Sequence, residues 1–205
     1  MRLEPVVAPL FTIHPLPWKP PEDFDAVLLT SANAARALER ELPKLATRPC
    51  YVTGEATAEA AARSGFREVR VGPSDGAAAL ALAQKEGCKR ILHLCGREYI
   101  ALPGVERRIV YAADAVELLP DAAAEALSRD AVALLHSPRA ASLFRDLVDA
   151  RGRVAIAAIS PAAAAAAGEG WAAVAVAARP RDEALLEVVA KLCQTALQSR
   201  AEAGR

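Results

Sequence analysis

Three residue types in this chain, Ser/Thr hydroxyls, glycines and one tyrosine, are spaced in a way that suits chemistry on an anion. The hydroxyls, one of them beside Gly54, fall in four short turns: Thr30-Ser31-Ala32-Asn33, Thr53-Gly54-Glu55-Ala56-Thr57, His136-Ser137-Pro138-Arg139 and Ile159-Ser160-Pro161. Each turn follows an apolar run and opens a helical pattern. Hydroxyls therefore sit beside the free N–H groups and partial positive charge of a helix start, a setting that suits carboxylate or phosphate. In Ser137-Pro138 and Ser160-Pro161 the hydroxyl caps the helix and Pro takes a position needing no N–H donor. Taken singly, each turn is explained by helix capping alone. Four at equivalent places favour an anionic ligand. Arg97, after Gly96, is placed either to reach such a ligand or to form a surface salt bridge. Tyr111 lies in an extended segment beside the presumed cleft, where it reads equally as a strand-forming aromatic.

Other chemistries find little support. Cys50, Cys88, Cys95 and Cys193 show no CxxC spacing and read as reduced thiols of a cytoplasmic chain. His14, His93 and His136 form no metal-ligand spacing, and His93 sits within an apolar strand as a core histidine would. No G-x-G-x-x-G or P-loop pattern occurs, and no Ser-His-Asp order can be defended. Lys+Arg and Asp+Glu both number 25, so the chain lacks the basic excess of a nucleic-acid surface. The Ala-rich stretch 154–178 is long enough for a membrane span, but Ser160, Pro161, Gly168, Glu169 and Gly170 divide it into strand, turn, helix, turn and strand.

The elements that position the turns occur twice. DAVLLTSANAARALEREL (25–42) is matched by DAVALLHSPRAASLFRDL (130–147), and the strand–turn–helix at 50–71 by the one at 154–176. Strands alternating with helices predict parallel sheets with right-handed crossovers, whose carboxyl edges bind ligands. The expected fold is thus α/β, with two similar parallel-sheet, flavodoxin-like domains facing each other across a cleft. Proline-flanked extended segments at 12–18 and 110–118 predict a two-stranded hinge. One domain, 18–110, is then inserted into another built from 1–14 and 117–205. Glu4–Ile13 is expected to begin as a strand that its prolines turn into an extended linker. Expected helices include 34–42 stopped by Pro43, 138–150 and 182–198, with a frayed tail over 199–205.

Six pieces in order resemble the uroporphyrinogen-III synthase family. They are LLTSANAARAL (28–38), VTGEATAEAAARSGF (52–66), ILHLCGRE (91–98), VYAADAVEL (110–118), LLHSPRAASLF (134–144) and AIAAISPAAAAAAGEGW (155–171). The resemblance implies a cyclising lyase of porphyrin biosynthesis. It would remove water from hydroxymethylbilane and close the ring with the last pyrrole inverted, through a spiro intermediate and without cofactor or metal. Two self-sufficient domains predict a monomer, and the resemblance adds a transient contact with the preceding pathway enzyme. Tyr111 matches the family's hinge tyrosine, the candidate proton donor, and Thr57 its cleft threonine. Ser31 and Ser137 match its paired serines, with Thr30, Asn33, Glu55, Arg97 and Pro138 beside these motifs. Backbone N–H groups around Gly54, Ser137 and Ser160–Pro161–Ala162 would hold carboxylates. Ala162 and Ala163 stand where members often have Thr. Family chains also open with a further strand and helix, so the discontinuous domain is expected to lack them. Two other readings follow: a bilobed protein that binds an anionic ligand, and an inactive truncated cyclase.

Overall fold

The computed structural model describes residues 4–38 and 41–203, with side chains through Thr195. The chain divides into two compact units, Thr12–Asp114 and a discontinuous one of Met1–Phe11 with Ala115–Arg205.

The continuous unit is built on β1 (Phe11–Pro15), β2 (Ala26–Leu29), β3 (Cys50–Thr53), β4 (Val69–Gly72), β5 (Ile91–Gly96) and β6 (Glu106–Ala115). Its helices are α1 (Ala32–Arg36), α2 (Leu42–Leu45), α3 (Glu55–Ser64) and α4 (Gly76–Lys85). The sheet order is β1-β6-β5-β2-β3-β4. Strands β2 to β6 pair in parallel. Bonds from Leu16 N–H to Val110 and from Val116 N–H to Leu10 show β1 running against β6. Every residue of β2 is buried, as a strand covered by helices on both faces requires. Leu28, Tyr51 and Ile91 pack against Ala79, Leu80 and Ala83 of α4 on one face.

Counted from β2, the parallel strands run 3-2-1-4-5, which corrects the flavodoxin-like order. The chain steps outward twice, from β2 to β3 to β4, before α4 returns it to the other side of β2. The reversal point therefore falls between β2 and β5, and the crevice outside it is the expected ligand position.

The second unit holds α5 (Asp121–Leu127), β7 (Ala131–Leu135), α6 (Pro138–Leu147), β8 (Val154–Ala158), α7 (Pro161–Ala167), β9 (Ala173–Val176) and α8 (Asp182–Ala203). Its sheet has three parallel strands, β7-β8-β9. Alternation along β8 assigns its faces. Val154, Ile156 and Ala158 pack with Phe144 of α6 and Ala163 of α7, while Ala157 packs with Leu185 and Val189 of α8. Phe144 stacks on Trp171 at 5.4 Å between ring centroids, and the Trp171 indole donates to Ala167 O at 3.0 Å. The expected duplication holds for the β-α-β-α-β path, but the two sheets differ in extent.

Other expectations need correction. Residues 4–10 form no strand, and β1 starts only at Phe11, where prolines give way to Phe-Thr-Ile. The helix expected over 34–42 ends at Arg36, and its residues 39 and 40 lie outside the described residues. Pro43 starts α2 instead of stopping a helix, since a proline fits the first turn. Helix α5 has no counterpart among the expected helices, because Pro120 reads as an end and not as an N-cap. Helix α6 stops at Leu147, as Val148 is extended and buried. Helix α8 continues through Ala203, across most of the segment expected to fray.

Candidate functional site

The carboxyl edge of the six-stranded sheet opens into a cavity of about 670 Å³. Its wall is drawn from the ends of several strands: Thr30 and Ser31 after β2, Thr53 ending β3, Cys95 and Gly96 ending β5, and Tyr111 in β6. Ser74-Asp75-Gly76 before α4, and Tyr99, Ile100 and Leu102 after β5, complete it. The location agrees with the reversal of strand order between β2 and β5.

Tyr111 reaches the cavity because β5 makes room for it. The register between β5 and β6 shifts at Cys95/Gly96, and Arg97 N–H bonds Tyr111 O at 2.9 Å. Gly96 lies directly under the phenol. A Cβ there would stand 2.6 Å from Tyr111 Cζ and 2.9 Å from its hydroxyl oxygen. Only glycine lets the ring lie where it does. The Tyr111 hydroxyl then donates to Ser31 Oγ at 3.1 Å. Ser31 Oγ also accepts Asn33 N–H at 3.2 Å as the N-cap of α1. With two donors on its oxygen, Ser31 has its own proton free to donate into the cavity.

Thr30 is held from behind. Its Oγ1 lies 3.1 Å from Nε2 of His93, which is fully buried in the middle of β5. Burial, and then the positive charge of Arg107, push the His93 imidazole down to about 4, so the ring is neutral near pH 7. Arg107 faces His93 from β6 and lies over the Tyr99 ring at 4.2 Å. The charged residues lining the cavity are Asp75 and Glu98. Asp75 is occupied in capping α4 through Ala78 N–H at 2.9 Å. Donors to an anion are therefore hydroxyls and backbone N–H groups.

Of the residues singled out in the sequence, the cavity brings together Thr30, Ser31, Thr53 and Tyr111. Asn33 supplies its N–H to Ser31, and its side chain accepts from Arg36 at 2.9 Å. Gly54 takes a positive φ of 73° to open α3, and Glu55 beside it is exposed. Thr57 is buried in α3. Arg97 makes the salt bridge that its sequence left open, to Asp114 at 2.8 Å. In the other unit Ser137 caps α6 through Ala140 N–H at 3.1 Å, and Ser160 caps α7 through Ala163 N–H at 3.2 Å. Pro138 and Pro161 fill the first helical positions, with Ala162 following.

Sequence reasoning missed Gly96, Cys95, Tyr99 and the Ser74-Asp75-Gly76 turn as cavity wall. The last had a usable signal, a Ser-Asp pair between strand and helix like the four turns chosen. Gly96 had none, since its role depends on a tyrosine fifteen residues on, across the sheet.

The family model of uroporphyrinogen-III synthase HemD matches residues 2–187. The fold is similar to the crystal structure of uroporphyrinogen-III synthetase from Helicobacter pylori 26695. The TM-score is 0.70 at 21% identity, over 89% of this chain and 91% of that one. A weaker likeness is to uroporphyrinogen III synthase from the extremely thermophilic bacterium Thermus thermophilus, with TM-score 0.41 and 19% identity over 86% of this chain and 80% of that one. A comparison with curated protein sequences finds no match.

Proposed function

The chain belongs to the uroporphyrinogen-III synthase family, and on that premise we propose that it cyclises hydroxymethylbilane to uroporphyrinogen III. The family match across residues 2–187 carries this reading. In the reaction the bilane loses its terminal hydroxyl as water, the last pyrrole inverts through a spiro intermediate, and the ring closes. The substrate carries eight carboxylates and closes unaided to the uninverted isomer. Catalysis therefore consists mainly of fixing one conformation and assisting departure of the hydroxyl.

Tyr111 suits the second task. Its phenol lies on the cavity wall with its proton directed at Ser31 Oγ. With substrate bound, that proton would turn to the departing hydroxyl, protonating it as the C–O bond breaks. Ser31 and Thr30 suit the first task, as hydroxyl donors to substrate carboxylates. The turns at Ser137-Pro138 and Ser160-Pro161-Ala162, with their N–H groups at helix starts, are proposed as further carboxylate contacts. The pairing of β1 with β6 supports reading 12–18 and 110–118 as a two-stranded connection. Among the described residues no helix is long and apolar enough to cross a membrane.

The test is incubation with hydroxymethylbilane, oxidation of the products, and chromatographic separation of the porphyrin isomers. Predominantly type III product is expected. Only type I product, as in an enzyme-free blank, would refute the reading.

A further inference from the structure

A row of side chains crosses the sheet beneath the cavity: Thr30 after β2, His93 in β5, Arg107 in β6, and Tyr99 after β5. The two ends of the row, Thr30 and Tyr99, line the cavity; His93 is fully buried and Arg107 is half-buried, with its Nε covered. Thr30 Oγ1 meets His93 Nε2 at 3.1 Å, His93 and Arg107 are register partners, and an Arg107 amine donates to Tyr99 Oη at 3.2 Å. Among the described residues, His93 Nδ1 and Arg107 Nε are buried side-chain atoms with no hydrogen-bond partner. A fully buried histidine with one nitrogen on a cavity hydroxyl, the other buried without a partner, and a cation as its register neighbour has little choice of tautomer.

A proton on Nδ1 would leave a buried N–H with no acceptor, under the positive charge of Arg107. A proton on Nε2 leaves a lone pair at Nδ1, which the cation's field favours. It also lets Nε2–H donate to Thr30 Oγ1. The Thr30 hydroxyl, with its oxygen so occupied, must then send its own proton elsewhere, and the open direction is the cavity. From this geometry we infer that His93 is a positioning residue: as the neutral Nε2–H tautomer it orients Thr30 as a hydrogen-bond donor to a carboxylate of the bound substrate. With Ser31 already in the same state, two adjacent hydroxyls point protons at one anionic group. The lowered basicity of the ring keeps this arrangement constant through the neutral range, so His93 acts by its tautomer and not by its charge.

The inference rests on the proposed reaction for its substrate, but its tautomer does not. The first measurement is therefore NMR of protein labelled with ¹⁵N in the histidine rings, at pH 7, with the His93 signals assigned by their loss in His93→Gln. A single proton, on Nε2, is expected. A proton on Nδ1, or on both nitrogens, overturns the inference whatever the enzyme's activity. The second measurement is kinetic, on variants shown to be folded by circular dichroism. His93→Met removes the donor to Thr30 and should raise KM about tenfold, with a much smaller change in kcat. His93→Gln, whose amide can still donate, should restore KM to within about threefold of the parent. In a Thr30→Val background His93→Met should add nothing further. An unchanged KM in His93→Met, or an equal effect with Val at position 30, overturns the role. A parent enzyme that forms no type III product, with the tautomer as expected, would instead count against the reaction.

Discussion

Replacing Gly96 with alanine tests whether the position of Tyr111 matters to the reaction. The new Cβ would stand 2.6 Å from Tyr111 Cζ, whereas ordinary van der Waals contact begins at about 3.4 Å. The ring or the strand must therefore give way by about 0.8 Å, the difference between those two distances. The bonded neighbours limit how this can happen. Arg97 N–H is tied to Tyr111 O at 2.9 Å, so the strands cannot simply part. The ring swings instead, and its hydroxyl leaves Ser31. Overpacking of this kind costs about 1–3 kcal/mol of stability. A misplacement near 1 Å at a reacting group can cost about a hundredfold in rate. Gly96→Ala is thus expected to lower kcat by about a hundredfold while remaining folded, with KM changing far less. The assay is the rate of type III isomer formation, measured alongside Tyr111→Phe and the double variant. Tyr111→Phe alone should lower kcat by at least about a hundredfold, the range of general acid catalysis. If alanine acts through the phenol, the double variant should be no slower than Tyr111→Phe. Parent-like turnover in Gly96→Ala would refute the packing argument. Multiplied losses in the double variant would show that Gly96 acts by some other route.

Three further outcomes follow from the geometry. Ser160→Ala removes the side-chain acceptor for Ala163 N–H and should lower stability by about 1 kcal/mol in urea unfolding; no change would mean that water replaces the cap. Asp25 accepts the N–H of Arg90 at 2.8 Å, the Arg90 guanidinium, and the N–H of Lys89, and these bonds hold its carboxyl at about 2, below its ordinary value. Its contribution is then complete above the unfolded value of about 4 and fades as pH falls toward about 2. The stability gap to Asp25→Asn should narrow across that window, and a gap independent of pH would contradict this. Cys50 is fully buried and burial pushes its thiol up, while Cys88 and Cys193 are partly exposed. A pulse of thiol reagent followed by peptide mass spectrometry should find Cys88 and Cys193 modified well before Cys50, and equal rates would place Cys50 at the surface.

What the sequence determined by itself is local. The apolar run of β2, its cap at Ser31, and the Ser-Pro starts of α6 and α7 are all written within a few residues. Each rests on interactions of short range, such as a hydroxyl with an N–H two or three positions on. The β-α-β-α-β repeat was legible for the same reason, because two copies of one local pattern can be compared without knowing how either folds. Two of the misreadings, the helix expected over 34–42 and the unforeseen α5, are places where one proline, Pro43 or Pro120, had two local meanings.

What only the tertiary structure decided is which of these pieces meet. Tyr111 bonds Ser31 across 80 residues, and His93 meets Thr30 across 63. Both contacts depend on β5 lying beside β2, with β6 on its far side. That order follows from where the crossovers carry the chain, and no pattern along the sequence encodes it. The same order turns Gly96 from a plain strand-end glycine into a position where a methyl group would dislodge the phenol. It also gives His93, which in sequence reads as a core histidine, one nitrogen on a cavity hydroxyl and a cation as its register neighbour. Hydroxyls and helix starts can be found from the sequence, but their convergence on one cavity is a property of the sheet.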